Sequence, residues 1–157
     1  MLKGWEVKQL DELCSYINDG THQTPKYVKE GIPFYSVENV TNDNFKNCKY
    51  ISEKEHCTLK RRCNPEKNDI LMTRIGSIGE CKLIDWDINA SIYVSLALLK
   101  TNNLIRSDFL AHYINSKQFK EEALKLSLPN ATPQKINTQN IRKDVSSPQS
   151  NLEFEDN

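Results

Sequence analysis

The run Lys67-Asn68-Asp69-Ile70-Leu71-Met72-Thr73-Arg74-Ile75-Gly76-Ser77-Ile78-Gly79-Glu80 places the tightest limits on how this chain can fold. Asn68-Asp69 is turn chemistry, and Ile70, Leu71 and Met72 supply the apolar bulk of a short strand. The strand ends on an arginine and leads into a loop bracketed by Gly76 and Gly79, which free the backbone for close approach. A guanidinium beside such a loop suits a phosphate or base contact. By itself, a Gly-x-x-Gly loop is more often a tight turn than a ligand site. The run from Ile92 to about Lys100 is too continuously apolar for an edge strand and is expected at the centre of a sheet.

Other elements follow from spacing. Trp5-Glu6-Val7 reads as a first strand, and Leu10, Leu13, Cys14 and Ile17 recur at helical spacing up to a stop at Asn18-Asp19-Gly20. Pro33 to Val37 reads as a strand with Phe34 and Tyr35 on opposite faces. Ser52 and Glu55 form a capping-box pattern for a helix carrying His56, Leu59, Lys60 and Cys63 along one side. A strand is expected from Cys81 to Ile84. Ser107 is expected to cap a helix with Phe109, Leu110, Tyr113 and Ile114 inward. A second helix from Ser116 to Leu126 would bury Phe119, Ala123 and Leu126, and a short one begins at Thr138. The expected fold class is α/β (α+β), a twisted, largely antiparallel sheet flanked by short helices.

At 157 residues the chain is expected to hold one domain, residues 1–148, followed by an acidic tail, residues 149–157. The polar stretch from Ser146 onward is expected to lack order. Formal net charge is zero, with 21 basic and 21 acidic residues, which argues against a generic, strongly basic nucleic-acid binder. The last nine residues hold Glu153, Glu155 and Asp156 and no Lys or Arg, leaving 21 basic against 18 acidic residues before them. Any nucleic-acid contact must therefore rest on local placement of charge. No apolar run approaches the ~20 residues that span a bilayer, and Met1-Leu2-Lys3-Gly4-Trp5 lacks the apolar core of a secretory signal. Five scattered cysteines without a paired spacing fit a reduced, cytoplasmic protein with free thiols.

Candidate chemistry is sparse. Thr21-His22-Gln23-Thr24 sets four hydrogen-bonding side chains in a row, followed by Lys26 and Tyr27. Glutamine pairs bidentately with adenine and threonine touches a thymine methyl group, whereas the alternative is a solvated polar loop. Lys60-Arg61-Arg62 reads first as favourable charge at a helix carboxyl end and second as a phosphate patch. His56 with Cys57, Cys63 and Cys81 lacks any Cys-x-x-Cys knuckle, so metal binding is not expected. There is no Walker loop, no Gly-x-Ser-x-Gly elbow and no His-Glu-x-x-His. Asn64-Pro65-Glu66-Lys67 only echoes the Asn-Pro-Pro-Tyr loop of adenine methyltransferases, since no aromatic residue follows the proline.

Taken together, Asp19 to Tyr27, Gly31 to Val40 and Lys67 to Glu80 resemble the target recognition domain of type I restriction–modification specificity subunits. The resemblance continues through Asp108 to Ser116 and into Asn130-Ala131-Thr132-Pro133-Gln134-Lys135-Ile136, which looks like that family's closing loop. It covers Gly4 to about Pro148. It implies a non-catalytic domain that reads one half of a split site in double-stranded DNA. Thr21, His22, Gln23 and Thr24 become candidates for reading bases. Lys26, Tyr27, Arg74, Gly76, Ser77, Gly79, Gln134 and Lys135 become candidates for phosphate contacts. The implied partners are a modification (methyltransferase) subunit, a restriction subunit and a second specificity half, with no membrane. S-adenosylmethionine, ATP and magnesium would belong to the partner chains, and no cofactor to this one. The chain departs from the pattern after Asp144, where the family's proline-rich turn, Glu-Gln pair and long helix are missing. A split half-subunit, a truncated product and an excised domain all fit that departure. A small protein-binding regulatory or decayed module without DNA binding is the alternative that near-neutral charge favours.

Overall fold

In the computed structural model, residues 3–143 and 146–150 are described. The central sheet has the strand order β2 (Cys14–Asp19), β9 (Leu96–Thr101), β6 (Ile70–Thr73), β7 (Cys81–Leu83), and all its pairings are antiparallel. A second sheet has the order β3 (Tyr27–Val28), β5 (Lys49–Ile51), β4 (Ile32–Tyr35), β8 (Ser91–Ile92), with only β4 and β8 parallel. The expected, largely antiparallel α/β architecture is therefore present, with its main strands divided between two four-stranded sheets.

Alternation along the central strands explains why they are apolar at every position. Ile70 and Met72 of β6, with Ala97 and Leu99 of β9, face one core together with Leu10, Leu110, Ile114, Phe119, Ala123 and Ile141. Those partners come from α1 (Leu10–Leu13), α4 (Ser107–Ile114), α5 (Lys117–Lys125) and α6 (Thr138–Lys143). Leu71, Leu96 and Leu98 face a second core with Tyr35, Val40, Ile84 and Ile92. A sheet covered on both faces has no polar side, and each fully buried Leu or Ile contributes ~1.5–3 kcal/mol.

Several expectations are corrected. The helix expected from Leu10 to Ile17 is one turn, α1, followed by β2. Cys14 and Ile17 are buried as anticipated, but as strand residues paired with β9. Tyr16 and Ile17, bulky and β-branched, suit that strand better than a helix. The long strand from Ile92 to Lys100 is broken at Tyr93–Ser95, so Ile92 belongs to the second sheet and Leu96 onward to the first. Ser36 does not extend β4 but caps α2 (Val37–Thr41), its backbone N–H donating to Asn39 Oδ1 at 2.9 Å. Arg106 occupies the cap of α4 and Ser107 is its first residue. The cap of α3 (Glu53–Leu59) is as expected, with Ser52 Oγ accepting from the Glu55 N–H at 3.1 Å; the helix expected to begin at Ser116 has that residue as its cap, Ser116 Oγ accepting from the Phe119 N–H at 3.2 Å.

The stretch from Ser146, expected to lack order, forms β10 (Ser146–Ser150), antiparallel to β1 (Trp5–Gln9). It crosses the expected boundary between residues 148 and 149. β1 offers unpaired backbone donors and acceptors, and a two-stranded ribbon tolerates Pro148 opposite Val7. The rest of the expected acidic tail, residues 151–157, lies outside the described residues.

His56 shows how the second sheet is tied to α3. It is 3% exposed, with Nδ1 2.7 Å from Ser91 Oγ and Nε2 3.0 Å from Asn89 Oδ1. An amide oxygen only accepts, so Nε2 carries the proton and the serine hydroxyl donates to Nδ1. Burial holds the imidazole below its ordinary value of 6.5, and Lys60 adds to this. The unfolded chain therefore binds the proton more readily than the folded one. His56 favours the folded state above pH 6.5, and this contribution is lost as pH falls through and below that value. We expect urea midpoints of the wild type to drop across this window, and the drop to be smaller in His56→Gln. Identical profiles for the two proteins would contradict the assignment.

Candidate nucleic-acid interface

β2 ends at Asp19, and Gly20 then presses flat against the chain beside it. A Cβ at Gly20 would lie 2.2 Å from the carbonyl oxygen of Ile92, so no other residue fits without moving the backbone. The Gly20 N–H donates to Leu96 O at 3.2 Å and the Thr21 N–H to Ile92 O at 3.1 Å. The Thr21-His22-Gln23-Thr24 segment therefore leaves the protein from a fixed point. Its backbone at Thr21 bridges to Tyr93, and Thr24 Oγ1 is 3.1 Å from the Tyr93 hydroxyl.

Asp19 anchors this point electrostatically. Its carboxylate is almost fully buried and meets three partners: Arg62 Nη2 at 2.6 Å, His22 Nε2 at 2.8 Å and Arg74 Nη1 at 3.4 Å. Arg62 also donates to Gly20 O and Asn18 Oδ1, both at 3.1 Å. α3 closes at Leu59, and Arg62 lies just beyond its end. It clamps the start of the polar loop.

Arg74 corrects a second expectation. Its guanidinium is buried, with Nη1 donating to Val94 O at 2.7 Å and Nε to Ile136 O at 3.1 Å. Burial pulls its pKa below the ordinary value and Asp19 acts against that pull. Buried, and with Nε and Nη1 committed to Ile136, Val94 and Asp19, Arg74 is an internal clamp rather than a surface phosphate contact. It holds together the polar loop, the glycine loop and the closing segment.

The glycine loop and the closing segment are in turn joined by backbone. The Gly76 N–H donates to Gln134 O at 2.8 Å, the Ile136 N–H donates to Arg74 O at 3.0 Å, and Ile75 pairs with Lys135. Gly76 and Gly79 have φ of 84° and 80°, the left-handed region that favours glycine. Gly76 is open to solvent, whereas a Cβ at Gly79 would meet Lys120 Cγ at 3.3 Å. Gly79 thus serves packing against α5. Ser77 is half-buried, its hydroxyl donating to Glu80 Oε2 at 3.2 Å.

The glycine loop and the closing segment border a cleft of about 500 Å³, whose lining does not include Thr21, His22, Gln23 or Thr24. Tyr27 and Phe34 line it on one side, Ile75, Gly76 and Pro133 on another, with Tyr93 and Ser95 also in its wall. The structure thus brings Tyr27, Gly76 and the Pro133–Lys135 segment to one place. His22, Gln23, Thr24, Lys26, Tyr27 and Gln134 are exposed, and Thr21 and Lys135 are half-buried. Among the described residues the Gln23 side-chain amide has no internal hydrogen bond, whereas His22 is committed to Asp19. Sequence reasoning missed the parts played by Asp19 and Tyr93. Only the continuation of Asn18-Asp19-Gly20 into a polar loop hinted at the first.

Burial pushes the Cys14 and Cys81 thiols up to about 12 and Cys63 up to about 11, which keeps them protonated. Among the described residues, no group of three or more His, Cys, Asp and Glu side chains could hold a metal ion. No helix of the described residues is long and apolar enough to cross a membrane.

Similar folds define a class. A chain from a study of complex assembly and conformational transition of the type I restriction–modification system superimposes with a TM-score of 0.68, at 19% identity. It matches 98% of this chain and 36% of its own length. The specificity subunit of a type I system from M. genitalium gives 0.63 at 17% identity, covering 94% of this chain and 34% of that one. The HsdS subunit from Thermoanaerobacter tengcongensis gives 0.65 at 16% identity, with 96% and 34% coverage. The chain therefore has the fold of a recognition domain of such subunits and spans about a third of their length. No curated protein matches it at a significant level. The model of the type I restriction modification DNA specificity domain matches residues 2–143, and the chain belongs to that family.

Proposed function

We propose that this chain recognises one half of a split site in double-stranded DNA, as a recognition domain of a specificity subunit. In that role it directs a partner modification subunit, and through it a restriction subunit, to the site. It performs no chemistry itself. S-adenosylmethionine, ATP and magnesium are used by the partner chains, and the complex works in the cytoplasm. The observation that carries this reading is the way Asp19 and Arg74 tie the root of the polar loop to the glycine loop and the closing segment, the last two of which line one cleft with Tyr27. Base contacts are assigned to the Thr21–Thr24 loop, with Gln23 foremost. Phosphate contacts are assigned to Lys26, Tyr27, Lys135, Gln134 and the open backbone at Gly76.

A chain with so little net charge neutralises few phosphates. We expect a log–log dependence of DNA affinity on salt with a slope of roughly −2 to −4, at about −0.9 per phosphate. Titration of duplex DNA at several salt concentrations, with the modification subunit present, measures it. Absence of binding at low salt would contradict the DNA reading and favour a protein-binding module.

A further inference from the structure

The sequence pattern gives no reason to single out Lys49, but the register of the second sheet does. Phe34 lies directly opposite Lys49, and Tyr27 opposite Ile51. Side chains two positions apart on a strand share a face, so Tyr27, Phe34 and Lys49 stand together on one side of the sheet. The Lys49 ammonium sits 4.5 Å from the centre of the Tyr27 ring. Tyr27 and Phe34 are 5.9 Å apart, as are Phe34 and Tyr93, which gives an aromatic wall along the cleft that Gly76 and Pro133 also line.

Two other lysines are differently placed. Lys82 also lies over an aromatic ring, that of Phe45, but Asp43 neutralises it at 2.8 Å. Lys100 is shared between Asp69 and Glu66. Among the described residues Lys49 has no carboxylate within salt-bridge distance. A ring face holds an ammonium in place without consuming its N–H donors. That arrangement lowers the side-chain entropy lost when an anion binds and leaves the charge available to it.

We propose that Lys49 is a phosphate-contacting residue of the DNA interface, held in place by the Tyr27 ring at the lip of this cleft. The proposal rests on the DNA-recognition reading. The duplex backbone then passes over the second sheet, beside the Thr21–Thr24 loop, so that one phosphate is gripped next to the bases that the loop addresses.

The test uses the full chain with its modification subunit and duplexes of random sequence, titrated at several salt concentrations. Lys49→Gln should reduce the magnitude of the log–log slope by about 0.9 and weaken binding several-fold at low salt. Lys49→Arg should keep the slope. Tyr27→Leu should also keep it, because the charge remains, while affinity falls. Lys117→Gln removes one charge from a side chain of α5 that is 90% exposed, and should change nothing. A wild-type slope and affinity in Lys49→Gln would overturn the assignment and leave the DNA reading standing. Equal slope changes in Lys49→Gln and Lys117→Gln would overturn it as well, since they would report net charge alone. Failure of the wild-type complex to bind any duplex would remove both.

Discussion

Replacing Asp19 with alanine is expected to destabilise the protein by ~3–5 kcal/mol, because it strands the buried Arg74 guanidinium without its counter-charge. That is a large share of the total stability of an ordinary domain, about 5–15 kcal/mol. Arg62→Ala should do much less harm, since the Arg62 side chain is 48% exposed and its partnership with Asp19 is partly screened by water. Asp19→Asn should fall between the two, retaining shape and an acceptor but not the charge. Urea denaturation checks this through the midpoint at unchanged slope. A loss below ~1 kcal/mol for Asp19→Ala would mean that the three-way clamp contributes no more than a surface ion pair.

The second large effect concerns discrimination. Gln23 is exposed on a loop whose root is fixed by Gly20 and Asp19, and among the described residues its amide has no internal hydrogen bond. Gln23→Ala should cost about 1–3 kcal/mol on the preferred half-site. It should leave affinity for unrelated duplexes nearly untouched, since glutamine neutralises no phosphate. Competition binding between the preferred and a scrambled duplex separates the two quantities. Equal losses on both would assign Gln23 to the backbone instead.

Much of the fold was legible because local chemistry specified it. Ser52 and Ser116 announced helix starts through a hydroxyl three residues before an N–H that needed an acceptor. The apolar run ending near Lys100 announced a strand covered on both faces. What was not legible depended on contacts distant in sequence. Cys14 and Ile17 satisfy a helical period and a strand equally well, and pairing with β9 decides between them. Arg74 looked like a surface phosphate ligand because its surroundings, Asp19, Val94 and Ile136, come from three other segments. Asp19 itself looked like a helix stop, since its partner Arg62 stands 43 residues away. Lys49 became visible only through strand register.

The claim that this domain reads DNA sequence is tested most directly by selection of bound duplexes from a random pool, using the complete chain together with its modification subunit. The account predicts enrichment of a short, defined motif, and loss of preference within it when Gln23 is replaced by alanine. A complex that forms and binds DNA yet returns a pool with the composition of the input would contradict it.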